Sequence, residues 1–217
     1  MIRIKLYEDF DTPITLNQVF NDCKEYIDTI KECNKGKLLI RGIYSYSKTP
    51  SIIKTKHNWN RIPLDVPSNW HDFLNGIFNS RFKWYVRSGI FCFFTDNKYS
   101  SGYGDTDYFV FPIGQFEYVW CPKIRDLFNE YEDEFNDNFM NYIDCEGDDF
   151  GDYEVTEEQM EEGMWKFQDD IENIILKDYK NNDICSIQNH VEVSINCDEY
   201  YLVSKEYLQK IIKYIWG

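Results

Sequence analysis

VRSGIFCFFTDNKYSSGYG, Val86 to Gly104, sets an unbroken apolar run at Ile90–Phe94 against a polar stretch that closes on a Tyr-Gly turn. A run so short, rich in aromatic and β-branched residues and bounded by glycine and Asp96, predicts a buried strand over Ile90–Phe94, followed by Thr95. Outward from it, LLIRGIY at 38–44 predicts a strand in which Arg41 interrupts the apolar residues. NHVEVSINCDEYYLV at 189–203 predicts two more, Val191–Ile195 and Tyr200–Val203, with Glu192 on the first. Strands are also expected at Ile2–Tyr7, Tyr108–Phe111 and Phe116–Trp120, parted by glycine- and aspartate-bearing turns.

Helical spacing fills the rest. Thr15 with Gln18 forms a helix start, and Leu16, Val19, Phe20, Cys23, Tyr26, Ile27 and Ile30 mark its buried stripe up to a stop near Gly36. A proline-bearing loop leads to Ser68, the expected cap of a helix through Phe78 with Trp70, Phe73, Leu74, Ile77 and Phe78 on its apolar face. His71 is expected at its first turn as a capping or surface residue. From Lys123 an amphipathic, acidic pattern runs to Tyr142, an acidic linker follows at 144–152, and Thr156 opens a further helix to Ile174. Ser204 caps a closing helix. Helices flanking a strand-rich middle give an α+β fold, read as one domain over 1–217 with 123–180 as an acidic helical insertion.

Charge and cysteine usage bound the function. With 38 acidic and 23 basic side chains the net charge is 23 − 38 = −15, which opposes non-specific attraction to nucleic acid. Seven cysteines without a CxxC pair, beside three histidines, read as reduced core residues in a cytoplasmic setting, with neither a disulfide framework nor a metal site expected. His57 and His190 have no metal-ligand partner at useful spacing, and the thiols lack a Cys/His nucleophile arrangement. MIRIKLYEDFD lacks the apolar core of a secretory signal, and no stretch is long enough to span a bilayer. Neither GxGxxG nor GxxxxGK occurs, so a Rossmann or P-loop phosphate turn is not expected.

The order of Arg41 on an early strand, a central strand followed by Thr95 and a Tyr103-Gly104 turn, and Glu192 on a late strand resembles the R-S-E class of mono-ADP-ribosyltransferases. NRIPLDVPSNWHDFLN, VFPIGQFEYVWCPKIRDL and EVSINCDEYYLV are similar to ADP-ribosyltransferase-like proteins of bacteriophages, and the likeness runs from about Leu38 to Val203. The resemblance implies a mixed β core with flanking helices, NAD as substrate, and transfer of ADP-ribose to an acceptor, such as a host protein in bacterial cytoplasm. It implies that Arg41 binds NAD and that Glu192 stabilises the oxocarbenium ion formed as nicotinamide leaves. The serine-threonine-serine element, which braces the site in that class, has no triplet here; its nearest equivalents are Thr95 and Ser100–Ser101. Arginine-modifying members carry Gln or Glu two residues before the glutamate, where this chain has His190, so the acceptor is expected not to be arginine. Arg61 and Arg87 are further candidates for phosphate contact, and Tyr103 or Phe94 for stacking on nicotinamide.

Plainer readings stay open. Arg41 can point outward or pair with a structural acid, Glu192 can be the solvent-facing member of the VEVSI alternation, and Thr95 and Tyr103-Gly104 can be an ordinary strand end and turn. Carboxylate rows between Asp126 and Glu172 suit a noncatalytic inhibitor that mimics DNA and binds a basic protein partner. The same scaffold without activity suits a virion or interaction component.

Overall fold

Thr15 accepts a hydrogen bond from the Gln18 backbone at 3.2 Å and starts α1 (Leu16–Asp22), the N-terminal cap that the sequence predicts. The computed structural model describes residues 13–44, 50–60, 68–95, 104, 106–124, 163, 165, 168, 172–173, 176–189 and 191–217. The expected strand at Ile2–Tyr7 and the expected helices between Lys123 and Ile174 lie wholly or mostly outside those residues, as does most of the 123–180 segment. The first predicted helix divides at Cys23 into α1 and α2 (Lys24–Ile30), which bury Val19, Phe20, Tyr26, Ile27 and Ile30.

The strands are β1 (Leu38–Ile43), β2 (Ile52–Lys56), β3 (Ile90–Thr95), β4 (Thr106–Pro112), β5 (Glu117–Trp120), β6 (Glu192–Asn196) and β7 (Glu199–Ser204), with α3 (Ser68–Phe82) before β3 and α4 (Leu208–Trp216) at the end. They form a seven-stranded sheet in the order β2-β7-β4-β1-β3-β6-β5. The class is α+β. Every pairing among the described residues is antiparallel, where the resemblance implies a mixed β core. β2 falls in the stretch expected to be loop. Among the described residues it pairs on one side, with β7, and its lysines suit an exposed edge.

Two features bend this sheet. β1 pairs with β3 over Leu38–Ile40 and with β4 over Ile40–Ile43, so the ladders overlap at Ile40 alone. Beyond Ile40, β1 continues with β4 while β3 continues with β6, and the sheet forks. Secondly, β6 and β7 are joined by Cys197 and Asp198 although three strands separate them in the sheet. A link of that length spans at most about 11 Å. In a flat sheet the two strands would lie about 19 Å apart. The two halves must therefore curl toward each other.

Alternation along each strand then sorts the core. On β5, Val119 joins Leu74, Ile77 and Phe78 of α3 with Trp84 and Val86, whereas Trp120 joins the larger core with Leu39, Cys92, Phe94, Val193 and Ile195. Each fully buried Leu, Ile or Phe contributes about 1.5–3 kcal/mol. Phe20 of α1 stacks on Tyr214 of α4 at 3.8 Å, tying the first and last helices. No helix among the described residues is long and apolar enough to cross a membrane.

The structure departs from the expectation for cysteine in one respect. Cys33, after α2, and Cys185, before β6, form a disulfide across a sequence separation of 152. Cys23, Cys92, Cys121 and Cys197 are buried and outside that disulfide, as expected for core thiols.

Candidate active site

The three segments that carry the sequence resemblance, with Arg41, Thr95 and Glu192, become the adjacent strands β1, β3 and β6. The pairing register then fixes which side chains share a face. Ile40 lies opposite Phe93, and Phe93 lies opposite Glu192, so these form one cross-strand row. Arg41 is one position along and projects to the other face. Glu192 shares the α3 side with Ser194, whose hydroxyl donates to the Val86 carbonyl at 2.6 Å. Arg41 shares the side of Leu39 and Ile43, at the fork, and is partly exposed opposite the buried Tyr108.

The guanidinium that meets Glu192 belongs to Arg87. Its Nη1 donates to Glu192 Oε1 at 3.2 Å, with the two side chains 8% and 18% exposed. Arg87 sits in a single 3₁₀ turn, Val86–Ser88, between α3 and β3. Gly89 lets that turn close on β6: a Cβ there would stand 2.1 Å from Ser194 Oγ and 2.9 Å from the Trp84 ring. The guanidinium lies over the Phe91 ring at 4.8 Å. Its Nε is buried without a hydrogen-bond partner among the described residues.

A buried polar cluster holds the turn from below. The Arg87 backbone N–H donates to Asn75 Oδ1 at 2.8 Å, which fixes the orientation of that amide. Asn75 Nδ2 is then the donor, to Ser88 Oγ at 3.0 Å and His71 Nε2 at 3.1 Å. His71 Nε2 must accept, so this imidazole is neutral with its proton on Nδ1. His57 Nε2 donates to the Ser88 carbonyl at 2.7 Å, because a carbonyl can only accept. His57 also lies against Trp59, with ring centroids 3.9 Å apart. His71 is thus 5% exposed and inside the site's support, a correction to the surface role expected of it. Its signal lay in the spacing: His71 and Asn75, four apart, lie on the same helix face as Leu74 and Phe78.

Other candidate residues are distributed as follows. Thr95 is fully buried, two residues along β3 from the partner of Glu192, and its Oγ1 has no hydrogen-bond partner among the described residues. Phe94 is fully buried in the larger core under the Lys37 ammonium, so it offers no ring face to a nicotinamide. Arg61, Tyr103, Ser100, Ser101 and His190 lie outside the described residues. Gly104 is described, and it packs on the backbone of Ile43 at the fork, where a Cβ would come within 2.5 Å of the Ile43 nitrogen.

The thiols are poor nucleophiles. Burial, then the neighbouring Cys92 and Asp198, pushes Cys197 up to about 12, and burial followed by Asp22 raises Cys23 well above the ordinary thiol value. Among the described residues no group of three His, Cys, Asp or Glu side chains is placed to hold a metal ion. Comparison with family models, curated proteins and solved structures finds no match to this chain.

Proposed function

We propose that this chain is an NAD-dependent mono-ADP-ribosyltransferase-like protein whose acting carboxylate is Glu192. The observation that carries the reading is the convergence of the Arg41, Thr95 and Glu192 segments, far apart in sequence, into three neighbouring strands at the fork of the sheet. In the reaction the bond from ribose C1′ to the nicotinamide nitrogen breaks, and its electron pair leaves with neutral nicotinamide. An acceptor nucleophile then bonds to C1′ and releases its proton to solvent. Positive charge on the ribose appears only as that bond breaks. A fixed carboxylate beside it therefore stabilises the transition state more than the ground state. On this reading Glu192 serves the ribose, and a guanidinium on the same face of the sheet would pair with the diphosphate end of NAD. The likeness to bacteriophage members points to a host-protein acceptor in bacterial cytoplasm.

Purified protein incubated with NAD, alone and with bacterial lysate, is expected to release nicotinamide, and Glu192→Ala is expected to cut release to a small residual rate while melting as a folded protein. Full turnover by folded Glu192→Ala would sink the assignment. No release from the wild type, together with no NAD-induced rise in melting temperature, would favour the noncatalytic inhibitor or interaction component.

A further inference from the structure

We infer that Arg87 is the positioning residue of Glu192, supplying from a turn the bracing that the resemblance assigns to a serine-threonine-serine element. The inference rests on the ADP-ribosyltransferase reading and adds a residue and a role to it. Thr95, the nearest equivalent by sequence, is displaced from the glutamate: Glu192 lies opposite Phe93, and Thr95 is two residues further, about 7 Å along the strand. Arg87 makes the contact instead, through Nη1 to Oε1 at 3.2 Å.

Three observations argue that this contact is built for orientation. A flexible arginine normally loses about 2 kcal/mol of rotamer freedom when it is fixed. Here its backbone is already tied to Asn75, its guanidinium lies on Phe91, and its turn is closed on β6 through Gly89 and Ser194. Both partners are largely buried, so solvent screening does not reduce the pair to the weak interaction of a surface ion pair. The carboxylate itself stands on a strand whose neighbours Val191 and Val193 are buried on the other face. Its backbone is thereby fixed, and the guanidinium fixes the remaining side-chain torsions. A carboxylate displaced by about 1 Å from its working position loses on the order of 100-fold in rate.

The test is steady-state nicotinamide release by wild type, Arg87→Met, Arg87→Lys, Glu192→Ala and the Arg87→Met/Glu192→Ala double variant, with each fold checked by thermal melting. The expected result is a kcat lower by on the order of 100-fold in Arg87→Met at nearly unchanged KM, the mark of an interaction used in the transition state. Arg87→Lys, which keeps the charge without the planar fork, should fall between, and the double variant should be no slower than Glu192→Ala. A raised KM at wild-type kcat would assign Arg87 to NAD binding through its Nε and overturn the inference. So would wild-type kinetics in Arg87→Met, or losses that multiply in the double variant. If Arg87→Met does not fold, Arg87→Lys carries the test alone: reduced kcat at unchanged KM supports positioning, and wild-type kcat overturns it. A wild type that releases no nicotinamide defeats the underlying reading itself, and the inference with it.

Discussion

Arg41 and Glu192 stand on opposite faces of the sheet, one position out of row, because Ile40 shares the cross-strand row with Phe93 and Glu192. The resemblance implies that both residues act on NAD. The register separates them, and the charge pair on the glutamate's own face is completed by Arg87, 105 residues away in the chain.

Urea unfolding of single and double variants should show this separation as energy. The Arg87→Met/Glu192→Gln cycle should give a coupling of about 1–3 kcal/mol, as for contacting residues in one polar network. The Arg41→Ala/Glu192→Gln cycle should give less than about 0.5 kcal/mol. Strong coupling in the second cycle would contradict the register.

Gly104 and Gly114 should answer differently to alanine. Both have positive φ, 141° and 67°, but a Cβ at Gly104 meets the Ile43 backbone whereas one at Gly114 meets nothing within 4 Å. Gly104→Ala is expected to cost about 2–3 kcal/mol, backbone strain plus displacement of β1, and Gly114→Ala about 1 kcal/mol for the left-handed backbone alone. Equal losses in denaturant titrations would show that the approach to Ile43 is relaxed at no cost.

Replacing Cys33 and Cys185 by serine should lower stability by about 2–5 kcal/mol, because the bond closes a long loop between α2 and the segment before β6. The wild type treated with dithiothreitol should melt like the double variant, which should itself be indifferent to reductant. A reductant-independent melting temperature in the wild type would mean that the bond does not contribute to stability.

Alkali should destabilise the fold from about pH 9 upward. The Cys197 thiol is raised from 9.0 to about 12 by burial, so between those values the folded chain keeps a proton that the unfolded chain gives up. Its stabilising effect is therefore complete below pH 9 and is lost as pH rises through that window, at about 1.4 kcal/mol per pH unit. Cys23 and Tyr26, both raised chiefly by burial, act in the same direction. Urea midpoints measured from pH 8 to 11 should fall, and less steeply in Cys197→Ala; a level series would refute the assignment.

Much of the scaffold could be read from residue patterns, since apolar runs bounded by turn residues announced β1 and β3–β7 to within two residues or so, and Thr15 announced its helix. β2 escaped because Ile52 and Ile53 give way to Lys54 and Lys56 beside Pro50, a polarity that only makes sense once the strand lies at a sheet edge. α3 runs on to Phe82, one turn past the expected end, because Ser80 and Arg81 anchor to the Ile77 and Tyr179 carbonyls. Of the candidate site, the sequence pattern made legible three strands and the place of Glu192 on one of them. Its arginine was named only as one of several candidate phosphate ligands, because the register that pairs Arg87 with Glu192 is decided by long-range strand contacts, and no local pattern carries that information.

The link through Cys197 and Asp198 also bears on how the molecule is made. One half of the forked sheet needs β7 and the other needs β6, and both are encoded late in the chain. Neither half can therefore complete itself from the earlier strands alone. During synthesis β1 to β5 must wait, their apolar faces uncovered, until the linked β6 and β7 arrive and supply both halves in one event. That dependence makes assembly all-or-none and rich in distant contacts, the kind that forms slowly and leaves the waiting strands exposed to aggregation.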